Sequence, residues 1–157
     1  MPQWYARTGR TLPGDVRRFP LRRSRWALPF LLPLSLGRPY AEVGEGTVRV
    51  RMGLMGKADL PVERIASIGT MTWPWWGGVG ARIARGMVAF LGASGAVVVL
   101  ELTEPTSVRA PLSWQARSIG VGVEDVSGFI TAVAAEREAT VGAARPDAGE
   151  PREAPGA

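Results

Sequence analysis

Any acid–base chemistry in this chain would have to come from carboxylates, because its 157 residues include no histidine and no cysteine. That composition excludes thiolate nucleophiles, disulfides, Cys-ligated metals and the usual general base near neutral pH. One lysine is present, Lys57, between Gly56 and Ala58 and two residues before Asp59. Its setting reads as a solvated turn, whereas a Schiff-base lysine needs an apolar pocket. The acidic pairs Glu101 and Glu104, Glu124 and Asp125, and Glu136 and Glu138 read as a strand end, a helix start and a solvated helix end. No spacing among them resembles a hydrolytic pair or a metal cage. The expectation is a protein that is not an enzyme and carries no cofactor and no metal, with a small carboxylate-dependent enzyme as the weaker alternative.

Charge is distributed unevenly along the chain. Of 19 basic residues, seven arginines (7, 10, 17, 18, 22, 23 and 25) precede position 27, where Asp15 is the only one of the 14 acidic residues; twelve basic and thirteen acidic residues remain beyond it. The high isoelectric point therefore belongs to the N-terminal segment. A nucleic-acid-binding domain would spread its cations over a folded face, so no specific nucleic acid is expected. Residues 1–25 read as a basic, flexible arm. Arg17, Arg18, Arg22, Arg23, Arg25 and Trp26 form a candidate docking arm for an anionic membrane surface.

Residues 26–36 make an apolar run interrupted by Pro29 and Pro33. Eleven residues fall well short of the roughly 20 that span a bilayer, and two prolines disfavour a helix. An extended strap packed on the domain is the reading that fits. A targeting role for residues 1–37 is the alternative, supported by the basic-then-apolar layout and by small residues at Ser35 and Gly37.

Beyond Gly37 apolar residues recur with a period of two. Tyr40 to Val43 and Thr47 to Met52 alternate around a turn at Gly44, Glu45 and Gly46, predicting a hairpin with one wet face. Further short strands are expected near residues 58–60, 86–91, 96–102, 107–110 and 115–123, with Val62, Ile65, Ile68 and residues 70–72 as an apolar stretch after the first of them. Pro61 belongs at a strand end or sheet edge, and Pro105 is expected to end the strand holding three adjacent valines. Trp73, Trp75 and Trp76, half of the six tryptophans, sit beside Gly77, Gly78 and Gly80. That cluster reads either as an exposed aromatic platform or as a loop folded back to cover the sheet. Gly120 and Gly122 alternate with apolar residues and leave room for a bulky neighbour, for which the tryptophan loop is the candidate. Asp125 is a good N-cap. Val126, Phe129, Ile130 and Val133 follow at i, i+3, i+4 and i+7, predicting one amphipathic helix packed on the sheet. Residues 140–157 are too poor in apolar side chains to order themselves and read as a disordered tail, leaving residues 26–139 as the domain.

Seven strands and a closing helix resemble a pleckstrin-homology-like antiparallel barrel. Local strings strengthen the likeness to the bacterial pleckstrin-homology-like family: Val48-Arg49-Val50-Arg51, Leu60-Pro61-Val62-Glu63-Arg64-Ile65, residues 75–82, and Val123-Glu124-Asp125 running into Gly128-Phe129-Ile130. Val126 departs from the proline that family members often carry after the acidic cap. The resemblance implies a mainly β, seven-stranded barrel capped by one helix, acting as a cytoplasmic, non-enzymatic binding module with an unknown protein, peptide or lipid partner at the membrane surface. Eukaryotic relatives bind phosphoinositides through a basic residue on the first strand and two alternating ones on the second, a spacing that Arg38, Arg49 and Arg51 mimic. With Trp73, Trp75, Trp76 and Arg82 they form the candidate binding surface. The intervening turn is short and acidic, so the plainer reading of the arginines is an exposed, solvated strand face.

Overall fold

A computed structural model describes residues 15–24, 38–78 and 80–144. Among these residues the fold is mainly β, with one α-helix at the C-terminal end. Alternation gives the hairpin of β2 (Tyr40–Gly44) and β3 (Thr47–Arg51), and with β1 (Arg17–Pro20) paired to β2 these strands bury Phe19, Ala41, Val43, Val48 and Val50 on one face. Both residues of the β2–β3 turn have positive φ, 53° at Glu45 and 70° at Gly46. A two-residue turn of that hand matches the right-handed twist of its strands. After a short 3-10 turn at Gly53–Met55, β4 (Lys57–Pro61) pairs with β3 and buries Ala58 and Leu60. Pro61 stands at its end, as a residue without an N–H donor must.

The second half is built round one long strand. β8 (Gly95–Arg109) pairs along its first half with β5 (Ile65–Trp73) and at its far end with β4, through Lys57 and Arg109. β9 (Ser113–Val121) runs antiparallel along the opposite edge of β8. β6 (Gly80–Ala84) and β7 (Met87–Leu91) form a hairpin through Arg85 and Gly86, and β7 then pairs with β9 in parallel. The resulting order is β1-β2-β3-β4-β8-β9-β7-β6, with β5 beside β8.

Several sequence expectations are corrected here. The sheet has nine strands among the described residues, it is not wholly antiparallel, and its ladder does not close into a barrel. β6 was missed because Gly80 and the alternation of small and polar residues around it look like loop. Pro105 does not end its strand: it falls inside the irregular register between Glu101 and Thr106, where a residue can be left out of the ladder. Residues 1–25 are not an arm throughout, since Arg17–Pro20 is a strand and Phe19 and Leu21 are core residues. Leu21 bridges to Val123, the Arg22 N–H donates to the Gly122 carbonyl at 2.8 Å, and the Ser24 N–H donates to the Gly92 carbonyl at 2.8 Å. The neighbours of Gly120 and Gly122 are Ala89, Val97 and Leu91, not the tryptophan loop. Residues 26–37, including the apolar run, and residues 145–157 lie outside the described residues.

Helix α1 (Val126–Ala144) extends past the expected boundary at residue 139. Asp125 caps it, its Oδ1 accepting from the Gly128 N–H at 2.9 Å. Phe129, Ala132 and Val133 are buried, with Val126 and Ile130 packed at the margin of the same core. The Phe129 ring meets Phe19 edge-on, centroids 5.4 Å apart, so the helix closes over the N-terminal strand. A smaller cluster lies apart from this core, where Trp73 packs on Ala89, Leu91 and Val97. Val97 and Val98 thus enter different clusters, which is why that run carries apolar residues at consecutive positions.

Two substitutions test this packing. Phe129→Ala should lower unfolding free energy by about 3–5 kcal/mol in urea titration, the range for emptying a packed aromatic site. At Gly92 a methyl group would run into the Arg22 carbonyl. Gly92→Ala should therefore loosen the segment after β1 and speed amide exchange at Arg22 and Ser24, leaving the β2–β3 hairpin protected.

Candidate functional site

On the outer face of β1 to β4 the register aligns Arg18, Glu42, Arg49 and Asp59 in one row. Cation and carboxylate alternate across it. Arg18 Nη2 lies 2.6 Å from Glu42 Oε1, and its guanidinium stacks 4.1 Å above the Tyr40 ring. The hydrogen bond to Glu42 raises the Arg18 pKa above its ordinary value, with the Glu42 charge adding to it. A raised cation pKa favours folding at all pH values below the ordinary arginine value and is lost only above it, so this pair adds no pH dependence near neutrality. Arg49 reaches Glu45 at 3.2 Å, while Arg51 reaches Asp59 at 2.7 Å and also donates to the Val50 and Ala58 carbonyls.

This arrangement matters for the phosphate-like spacing of Arg38, Arg49 and Arg51. Arg49 and Arg51 already have carboxylate partners, and Arg38 is exposed on the segment entering β2. Moreover, the Gly46 N–H in the β2–β3 turn donates to Glu136 Oε1 of α1 at 2.6 Å. A carboxylate therefore occupies the place where a bound phosphate would seek a backbone donor. Arg17 stacks on Phe19, and Arg22 donates to the Ser94 carbonyl at 3.4 Å, so these members of the candidate arm are engaged with the domain. Arg23 is exposed. Arg25 and Trp26 lie outside the described residues.

The tryptophan cluster divides by role. Trp73 is half-buried on its small core, and its Nε1 donates to the Gly78 carbonyl at 3.1 Å. Its indole covers Gly77, and the Arg82 guanidinium lies against Gly78, so a side chain at either glycine would collide. Trp75 begins the 3-10 turn Trp75–Gly77; its side chain lies outside the described residues. Trp76 is 74% exposed. Arg82, Trp73 and the loop are brought together, whereas Arg49 and Arg51 lie on β3 beside their carboxylate partners.

A second grouping was not legible as such in the sequence. Three connections meet at one end of the sheet: β3–β4, β5–β6 and β8–β9. Met55 touches the position where Gly80 would carry a Cβ, and Gly56 is hemmed in by the Arg109 carbonyl, Ala110 and the Phe90 ring. Exposed apolar side chains crown these connections: Leu54 at 60%, Leu112 at 70%, Trp114 at 41%, together with Trp76. The available signal was a leucine at each of two turn tips, Gly53-Leu54 and Pro111-Leu112, where turn chemistry favours polar residues. Beneath the tips, Arg51, Lys57 and Arg109 stand in register across β3, β4 and β8. Among the described residues no carboxylate lies within ion-pair distance of Lys57 or Arg109.

No family model, curated protein or solved structure matches this chain. No helix among the described residues is long and apolar enough to cross a membrane. None of the described residues form a group of three or more acidic side chains placed to hold a metal ion.

The paired row on β1 to β4 leads to a definite expectation. Arg49→Ala and Arg51→Ala should each shift stability by less than about 1 kcal/mol, the usual value of exposed ion pairs. Inorganic phosphate should leave the thermal midpoint of the unaltered protein in place; a rise abolished by either substitution would restore the phosphate site.

Proposed function

We propose that this chain is a non-enzymatic binding module, cytoplasmic and peripheral to a membrane, whose binding surface is the end of the sheet crowned by Leu54, Trp76, Leu112 and Trp114. The observation that carries this reading is the exposure of Leu54, Trp76 and Leu112 on three connections that converge, with Trp114 exposed beside them at the start of β9. Single exposed leucines are common on protein surfaces, but a group rimmed by polar residues marks an interaction site. In this reading the row on β1 to β4 is structural, and Arg17, Arg18 and Arg22 seat the N-terminal strand on the domain rather than anchor the protein. We also propose kinship with pleckstrin-homology-like domains. It is supported by the run of strands followed by one capping helix, and by the Leu21–Val123 bridge that ties the first strand to the end of the last.

Hydroxyl-radical footprinting of the full chain in a lysate of its own cells, against buffer, tests the assignment. Trp76 and Trp114 should lose about half or more of their oxidation in lysate, while Tyr40, stacked under Arg18 at the β1–β2 edge, stays unchanged. Protection of Tyr40 with both tryptophans unaffected would move the binding surface to the β1–β2 edge.

A further inference from the structure

The crowned end carries charge of one sign. Residues 51–58, 73–82 and 109–114, which form its three connections and their flanks, contain Arg51, Lys57, Arg82 and Arg109 and no aspartate or glutamate. Chain-wide, acidic residues are nearly as numerous as basic ones, 14 against 19, so their absence from all three stretches is a local feature. Register sharpens it. Arg51 faces Lys57, and Lys57 faces Arg109, so three cations line up on adjacent strands. Like charges placed directly across a sheet repel. Asp59 relieves Arg51 at 2.7 Å, whereas the Arg109 Nε donates to the Pro111 carbonyl at 3.2 Å and has no ion-pair partner among the described residues. The row is left seeking anions from outside the domain.

The apolar tips stand beyond this row. Leu54 lies three residues from both Arg51 and Lys57, and Leu112 lies three residues from Arg109. Leucines outermost, cations behind them and indoles alongside match the layering of a bilayer surface, where acyl chains lie below phosphates and tryptophan favours the boundary between them. A soluble anion would satisfy the cations and leave the leucines wet. An apolar protein partner would cover the leucines and leave Lys57 and Arg109 without counter-charge.

We infer that the crowned end docks on an anionic lipid bilayer, with Leu54, Leu112 and Trp76 entering the interface and Lys57, Arg82 and Arg109 meeting lipid phosphates. The inference rests on the binding surface proposed above and names its partner. It needs no stereospecific headgroup site, because the attraction comes from surface potential and from buried apolar area.

Co-sedimentation of the full chain with phosphatidylcholine vesicles, with and without phosphatidylglycerol, tests it. The unaltered protein should pellet with the anionic vesicles and stay in solution with the neutral ones. Its partitioning should fall as salt rises, a check that needs no substitution. Lys57→Gln and Arg109→Gln should each weaken partitioning about fivefold, the factor that corresponds to one basic residue near an anionic surface. The pair Leu54→Ser with Leu112→Ser should weaken it by about tenfold or more. Arg23→Gln with Arg25→Gln should leave most of the binding in place. Failure to pellet with either vesicle, equal pelleting with both, or loss confined to the Arg23 and Arg25 variant would overturn the inference. If vesicles fail while Trp76 and Trp114 remain protected in lysate cleared of membranes, the lipid assignment falls and the binding surface stands.

Discussion

The change of partner along β8 is the constraint from which the other features follow. One edge of this fifteen-residue strand serves β5 and then β4, while the other is held by β9 on both sides of the register break between Glu101 and Thr106. Without that break a straight strand of this length would carry its two ends far apart. With it, the sheet bends enough for Gly56, just before β4, to pack against the Phe90 ring of β7. One continuous core then forms from Phe19 to Val133, and the three connections that carry exposed apolar residues are brought to the same end. The bend therefore produces both the stability of the domain and the grouping of Leu54, Leu112 and Trp76.

Two cross-strand rows on one sheet face, both rich in basic residues, behave differently because of what lies in register with them. On β1 to β3 each outward arginine faces or neighbours a carboxylate, and the charges cancel locally. Toward the crowned end the row continues from Arg51 into Lys57 and Arg109, and cancellation stops. Net charge alone would rank the N-terminal segment as the more attractive to anions. The placement of partners lowers that ranking for Arg17, Arg18 and Arg22, which are occupied by Phe19, Glu42, Tyr40 and the Ser94 carbonyl.

Much of the architecture was readable from local pattern. Period-two alternation gave β2 and β3, Asp125 and the spacing of Phe129, Ile130 and Val133 gave the capped helix, and the adjacent valines gave a strand apolar on both faces. These succeed because each depends on neighbours in sequence. What failed depended on distant partners. Arg17–Pro20 carries mostly charged and exposed residues, and only the burial of Phe19 against Phe129, more than a hundred positions away, makes it a strand. Pro105 breaks a ladder unless a bulge removes it from the ladder. Gly120 is small for the sake of Ala89 on β7 and Val97 on β8, contacts that exist only because β9 is paired between those two strands. The crowned end was invisible for the same reason: Leu54, Trp76 and Leu112 are far apart along the chain, and nothing local says that their turns converge.

The parallel pairing of β7 with β9 carries a consequence for how the chain acquires its shape. β7 and β8 are consecutive, yet they do not pair, because β9 lies between them. A nascent polypeptide emerging from the ribosome can zip β2, β3 and β4 as soon as they appear, but the slot beside β7 has no occupant until residue 121 has been made. Assembly must hold the β6–β7 hairpin apart, and then thread the last strand into the gap before the helix can seal it.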